Sequence, residues 1–179
     1  AQNTKKTHEL CDIILAREMD MRWTIQTRVE HLNDRNRELV EKLARAGCVE
    51  VYLGVENFDA EIAQYLKHVK NPEKYLQDTK EAVANTLKYG IGCNINLQLG
   101  VPGETKEARQ RNLEALRKVA ETAERITEEK KIQAHVTVYP QLSVVYPGTA
   151  MARMPVRGTN TMLHPDAFEE FTEWEWGME

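Results

Sequence analysis

"NINLQLGVPGET", residues 94–105, reads as a strand that runs into a turn and a helix start. Asn94, Asn96 and Gln98 alternate with Ile95, Leu97 and Leu99. Successive strand residues point to opposite faces, so one face here is apolar and the other carries three amides. The chain then turns through Gly100, Pro102 and Gly103. Pro102 presets φ, Gly103 permits positive φ, and Thr105 is placed to cap the next helix. The turn reads as architecture, and the amides pose the question of what they face.

Working outward, three more strands show the same alternation, at residues 22–30, 48–56 and 131–140. Between them lie helical patterns at 8–19, 34–47, 59–69, 72–90 and 106–130. In the first helix, Leu10, Ile13, Ile14 and the stem of Arg17 share the expected apolar face. Leu39, Leu43 and Ala46 do so in the second, which Gly47 ends. Asp59 is placed as an N-cap, Pro72 suits a first helical position, and Gly90 stops the fourth helix. Strands alternating with helices of crossover length predict a parallel sheet with helices outside. Beyond Pro140 the pattern is loop-like, until a short helix expected from Asp166 to Trp176.

Comparing the strands by parity sharpens the fold. One side carries Trp23, Ile25, Val49, Val51, Leu53, Val55, Ile95, Leu97, Leu99, Ala134, Val136 and Val138. The other carries Thr24, Gln26, Arg28, Glu50, Tyr52, Glu56, Asn94, Asn96, Gln98, His135, Thr137 and Tyr139. A sheet covered by helices on both faces reads as continuous apolar runs, and these strands do not. A barrel, closed or partial, supplies one helix-packed face and one polar concavity, with its chemistry at the C-terminal strand ends. Arg28, Glu56, Gln98 and Tyr139 lie near those ends. Glu50 and His135, at mid-strand, each read as a structurally satisfied polar residue rather than a functional one. The fold class is therefore α/β: a partial TIM-like barrel of about four parallel strands with outer helices.

Totals limit the function classes. The chain has 179 residues, of which 41% are hydrophobic and 29% charged, as in ordinary globular domains. A formal net charge of −4, with no basic block, gives no footprint for nucleic acid. No apolar run reaches membrane-spanning length. Cys11, Cys48 and Cys93 are far apart in sequence, which fits buried thiols in a reduced, cytoplasmic chain.

The ordered set of motifs carries a family resemblance. "QTRVE" (26–30), "AGCVEVYLGVE" (46–56), "GVPGET" (100–105) and "YPGT" (146–149) follow one another at strand ends. This succession resembles the radical S-adenosylmethionine (SAM) enzymes, nearest the branch that often carries a cobalamin-binding domain. The resemblance spans roughly residues 5 to 152, leaving 153–179 as a C-terminal loop and helix extension. It implies a six-stranded partial barrel of which the strands here are the third to the sixth. It also implies a C-x-x-x-C-x-x-C loop that holds a four-iron cluster. The 179 residues contain no such motif, so the chain reads as a fragment of a longer protein.

What the resemblance implies for chemistry follows. In the complete protein a reduced [4Fe-4S] cluster cleaves S-adenosylmethionine to a 5′-deoxyadenosyl radical, which abstracts hydrogen from a small-molecule substrate. Methyl transfer or rearrangement are outcomes of the cobalamin-dependent branch. The chain's partners would be that substrate and the missing N-terminal part of the same protein, with no nucleic acid and no membrane. Cluster ligands and any cobalamin domain would lie outside this chain, which alone would be catalytically silent.

Residue by residue, Glu56 matches the family position that binds the cofactor's ribose hydroxyls. A carboxylate accepts from both hydroxyls of a diol. Its alternative is a helix cap. Gln26 and Arg28 match third-strand positions facing the cofactor, with a structural ion pair as the alternative for Arg28. The cation expected to pair the cofactor carboxylate falls on His68, with Lys67 and Lys70 beside it. Asn96 matches a position near the adenosine. The last strand, around Val138 to Pro140 and including Tyr139, borders the adenine. No metal ligand is expected in this chain. A competing reading is a non-catalytic half barrel that binds a small molecule or partner. An aldolase-like half barrel is disfavoured, because no strand interior carries a lysine for a Schiff base.

Overall fold

The computed structural model describes residues 4–131 and 134–144. In chain order these form α1 (Thr4–Ala16), β1 (Trp23–Thr27), two 3-10 turns (Val29–His31 and Asp34–Asn36), α2 (Arg37–Arg45), β2 (Cys48–Glu56) and α3 (Ala60–Lys67). Then follow α4 (Pro72–Lys88), β3 (Gly92–Leu99), α5 (Lys106–Lys130) and β4 (Val136–Leu142). All strand pairs are parallel, in spatial order β1-β2-β3-β4. Each return to the next parallel strand needs a crossover, and helices supply it. The result is the partial barrel that the alternation predicts.

The apolar parity is the helix side. Val51, Leu53, Val55 and Ile95 are fully buried there. They join Val29, Leu39, Val40, Leu43, Val83, Leu87 and Val119 in one core cluster. Helix ends follow local chemistry. Asp59 accepts from the backbone N–H groups of Glu61 and Ile62, Asn71 caps α4 with Pro72 in its first turn, and Thr105 caps α5. Each cap satisfies donors that a helix start leaves unpaired.

Three expectations are corrected. The buried face of α1 is Thr7, Cys11 and Ile14, while Leu10 and Ile13 are exposed at 46% and 49%. Both faces of α1 carry aliphatic side chains, so periodicity alone chose the wrong one; packing against α2 selects the stripe with the small Cys11. The segment 34–36 is 3-10 rather than α-helix, and Asn36 donates its side-chain amide to Glu30 O instead of joining a helix interior. The last strand starts at Val136 and runs through Pro140 to Leu142. Pro140 is tolerated because, among the described residues, β4 pairs only with β3 and sits at the sheet edge. The helix expected at 166–176 and the 153–179 extension lie outside the described residues.

Candidate functional site

The polar parity forms rows across the sheet. Parallel registers align Thr24 with Glu50 and Glu50 with Gly92; then Gln26, Tyr52, Asn94 and Thr137; then Gly54, Asn96 and Tyr139. Gly92 and Gly54 thus occupy this face where neighbouring rows carry side chains. At Gly54 an added Cβ would lie 2.8 Å from Glu56 Oε1 and 3.2 Å from Lys67 Nζ. The acid and the base therefore hang over a bare stretch of backbone, in a space that a side chain at 54 would fill.

Glu56 owes its direction to a local irregularity. The β2–β3 register shifts between Gly54 and Glu56. Glu56 has φ of +67°, and Asn57 N–H donates to Val55 O at 2.9 Å. That closes a three-residue turn centred on a non-glycine residue in the left-handed region, a strained arrangement that persists only where its surroundings hold it. A bulge of this kind re-aims a side chain at a strand end. Glu56 is no helix cap, since Asp59 fills that role. Its carboxylate instead sits 3.4 Å from Lys67 Nζ, and both side chains are mostly buried.

Sequence reading missed the clamp that holds this turn. Glu104 has a side chain only 1% exposed. Its Oε2 accepts from Gly100 N at 2.8 Å and lies 3.4 Å from Arg109. Its Oε1 accepts from the fully buried Asn57 side chain at 3.5 Å. Asn57 also donates to Gln98 O and accepts from Asp59 N–H. Arg111 pairs with Asp59 at 2.8 Å. The β2–α3 and β3–α5 loops are thereby tied together beside Glu56. The signal was in "GVPGE": a carboxylate four residues after a glycine can close the turn by accepting its N–H.

The other predicted residues distribute as follows. Gln26 and Arg28 are exposed at and just beyond the end of β1. Arg28 pairs with Glu30 at 2.9 Å. Burial acts on the Glu30 carboxyl in the opposite sense, but that hydrogen bond, its own backbone N–H and the nearby charge hold it below the usual range. Lys67 ends α3, and His68 follows it as an exposed left-handed cap residue. Asn96 lies between Gly54 and Tyr139. Tyr139 is 44% exposed and its ring centroid is 6.4 Å from that of Tyr52. Glu56 and Lys67 meet, Asn96 and Tyr139 share their row, and Arg28 turns to Glu30.

The thiols take no part. Cys11, Cys48 and Cys93 are all free and buried. Burial pushes both Cys48 and Cys93 up to about 12. A thiolate is the metal ligand, so these are poor donors for a cluster. Among the described residues no group of three or more His, Cys, Asp or Glu side chains is arranged to hold a metal ion. Nor is any helix there long and apolar enough to cross a membrane.

Comparison with known proteins places the chain in a class. The family model for the Radical SAM superfamily matches residues 3–116. The chain therefore belongs to the radical SAM superfamily. Among solved structures it is similar to the cobalamin-dependent S-adenosylmethionine radical enzyme OxsB with aqua-cobalamin and S-adenosylmethionine bound. There the identity is 14% and the TM-score 0.52, over 72% of this chain and 20% of that one. It is also similar to the radical S-adenosylmethionine methyltransferase TsrM from Kitasatospora setae, with cobalamin and a [4Fe-4S] cluster bound. That match has 20% identity and a TM-score of 0.52, over 73% of this chain and 24% of that one. These likenesses are of fold. The chain spans about a fifth to a quarter of the length of those structures. Among curated proteins none matches the sequence significantly.

Proposed function

We propose that this chain is the part of a radical SAM enzyme core that holds S-adenosylmethionine on the upper rows of its polar face. The carrying observation is the bare backbone at Gly54 beneath the Glu56–Lys67 pair. Glu56 accepts from the ribose diol, and Lys67, with His68 beside it, supplies positive charge for the cofactor carboxylate. Asn96 and Tyr139, in the Gly54 row, border the adenosine; Gln26 and Arg28 flank it from β1. Glu104 and Asn57 keep the Glu56 turn in place. With a reduced cluster, the cofactor supplies a radical for hydrogen abstraction, and the protein's part is to bind it and exclude side reactions.

The cluster has no fitting donors here: the thiols are buried, separated and held protonated. On this reading the [4Fe-4S] ligands, and any cobalamin domain, belong to parts of the protein outside these residues. The whole enzyme would act on a small molecule in the cytoplasm, by methyl transfer or rearrangement.

The test is calorimetric titration of the 179-residue chain with S-adenosylhomocysteine, which carries the ribose, adenine and carboxylate but needs no cluster. Without cluster contacts the expected dissociation constant is weak, ~0.1–1 mM. Glu56→Ala should weaken it by ~10-fold, the scale of a lost charged hydrogen bond. Absence of binding at millimolar ligand, or equal binding by Glu56→Ala, overturns the assignment.

A further inference from the structure

A second, separate cluster occupies the lower part of the same face. Glu50 Oε2 accepts from Tyr52 Oη at 3.4 Å and from Asn94 Nδ2 at 3.3 Å. His135 Nε2 lies 3.5 Å from Glu50 Oε1. Gly92 sits between the two in the row, and a Cβ there would meet His135 Cε1 at 3.2 Å and Glu50 Cγ at 3.3 Å. His135 is held in register by its carbonyl, which accepts from Cys93 N–H at 2.9 Å. Residues of β2, of β3 and of the position just before β4 thus converge on one carboxylate over a second bare glycine. Gly92 and Asn96 are four residues apart on β3, which puts the cluster about 13 Å below the Gly54 row.

The pairing has a chemical direction. A carboxylate only accepts, so the nitrogen of His135 that faces Glu50 carries the proton. The other ring nitrogen, Nδ1, makes no hydrogen bond among the described residues; in the neutral imidazole it is an acceptor. The His135 side chain is 59% exposed and Glu50 is 30% exposed, so the pair is open to a ligand. No lysine or arginine pairs with Glu50 in the described residues. With the imidazole neutral, a group docking here meets one acceptor nitrogen backed by negative charge. That favours an ammonium or other hydrogen-bond donor and disfavours a carboxylate or phosphate.

We infer that Glu50 and His135 form a substrate-anchoring floor that receives the amino group of an amine substrate at His135 Nδ1. Glu50 positions the ring, and Tyr52 and Asn94 fix Glu50. The inference rests on the reading of this face as the cofactor-bearing interior, and assigns the substrate end of it. It also goes beyond the expectation that Glu50 and His135 are each merely structural, since their contact leaves one ring nitrogen of His135 without a hydrogen bond among the described residues.

The experiment uses the 179-residue chain labelled with carbon-13 in its five histidine rings. It is titrated at fixed pH with propylammonium and, separately, with propionate, and His135 is assigned by the signal lost in His135→Ala. Propylammonium should shift the His135 signal saturably, with at least a fivefold smaller response to propionate. Glu50→Gln should reduce the ammonium response at least fivefold. If Glu50→Gln does not fold, His135→Ala replaces it, read through the Asn94 side-chain amide, whose ammonium response should vanish. Equal responses to the two probes, no response to ammonium, or persistence in the variant overturns the inference. Neither probe contains adenosine. Binding of S-adenosylhomocysteine without amine selectivity removes this inference alone; amine selectivity without that binding removes the cofactor reading and, with it, the substrate role assigned to the amine site.

Discussion

The two faces of the sheet differ in what their side chains are for. On the helix side Val51, Leu53, Val55 and Ile95 lie in a dry core. On the other side Tyr52, Gly54, Asn94 and Asn96 alternate with those same residues along the same strands. Burial energy comes from the first set, at about 25 cal/mol per Å² of apolar surface. The second set is free to carry polar groups, because each is paired or wet. The contrast teaches that stability and chemistry are separated here by one residue of register, and substitutions one position apart should have opposite characters.

The largest effect should come from Leu53→Ala, which empties a fully buried site. We expect a loss of about 2–5 kcal/mol in chemical denaturation. Tyr52→Phe, one position away, should cost less than about 1 kcal/mol, since it loses a single long hydrogen bond. Equal costs for the two would break the comparison.

A smaller effect tests the clamp between the faces. Glu104→Ala leaves Gly100 N–H and the Asn57 side chain without that acceptor, and should cost about 1–3 kcal/mol. It should also weaken S-adenosylhomocysteine binding, by releasing the Glu56 turn. Glu104→Gln keeps one acceptor but turns its amide NH2 toward the other donor, and should recover only part of both. A stability loss without any change in binding would separate the clamp from the site.

The smallest effect lies on the outer surface. Asp34 is held below the usual aspartate range by hydrogen bonds from Arg37 and then Asn85. A depressed folded-state value means its stabilisation is present above the ordinary value of about 3.9 and is lost as pH falls through the folded one. Half of the side chain is exposed, so solvent screens the pair. Asp34→Asn should leave the neutral-pH melt nearly unchanged and flatten the acid limb of the stability curve. An unchanged acid limb would show that the surface pair contributes nothing.

Much of this was legible in one dimension. Parity separated the two faces because a strand's period is two and one face must be dry. Caps at Asp59, Asn71 and Thr105 follow from short polar side chains that reach the orphan N–H groups of a helix start. Glu56 and Lys67 were both named, though not as partners. The face of α1 was misread, because Leu10 and Ile13 are apolar yet lie away from α2. The turn that Glu104 closes onto Gly100 was a local signal passed over, whereas its buried bridge to Asn57 joins residues 47 apart. No local pattern marks such a bridge.

The sequence by itself determined which face of each strand is apolar, where the helices start, and to which superfamily the chain belongs. Those are local properties: side-chain period, capping chemistry and ordered motifs. Tertiary structure alone decided that Glu56 leans from a strained turn onto Lys67, that Gly54 and Gly92 leave bare backbone in two rows, and that His135 faces Glu50. These depend on register between strands distant in sequence, and register is set by packing of the other, apolar face.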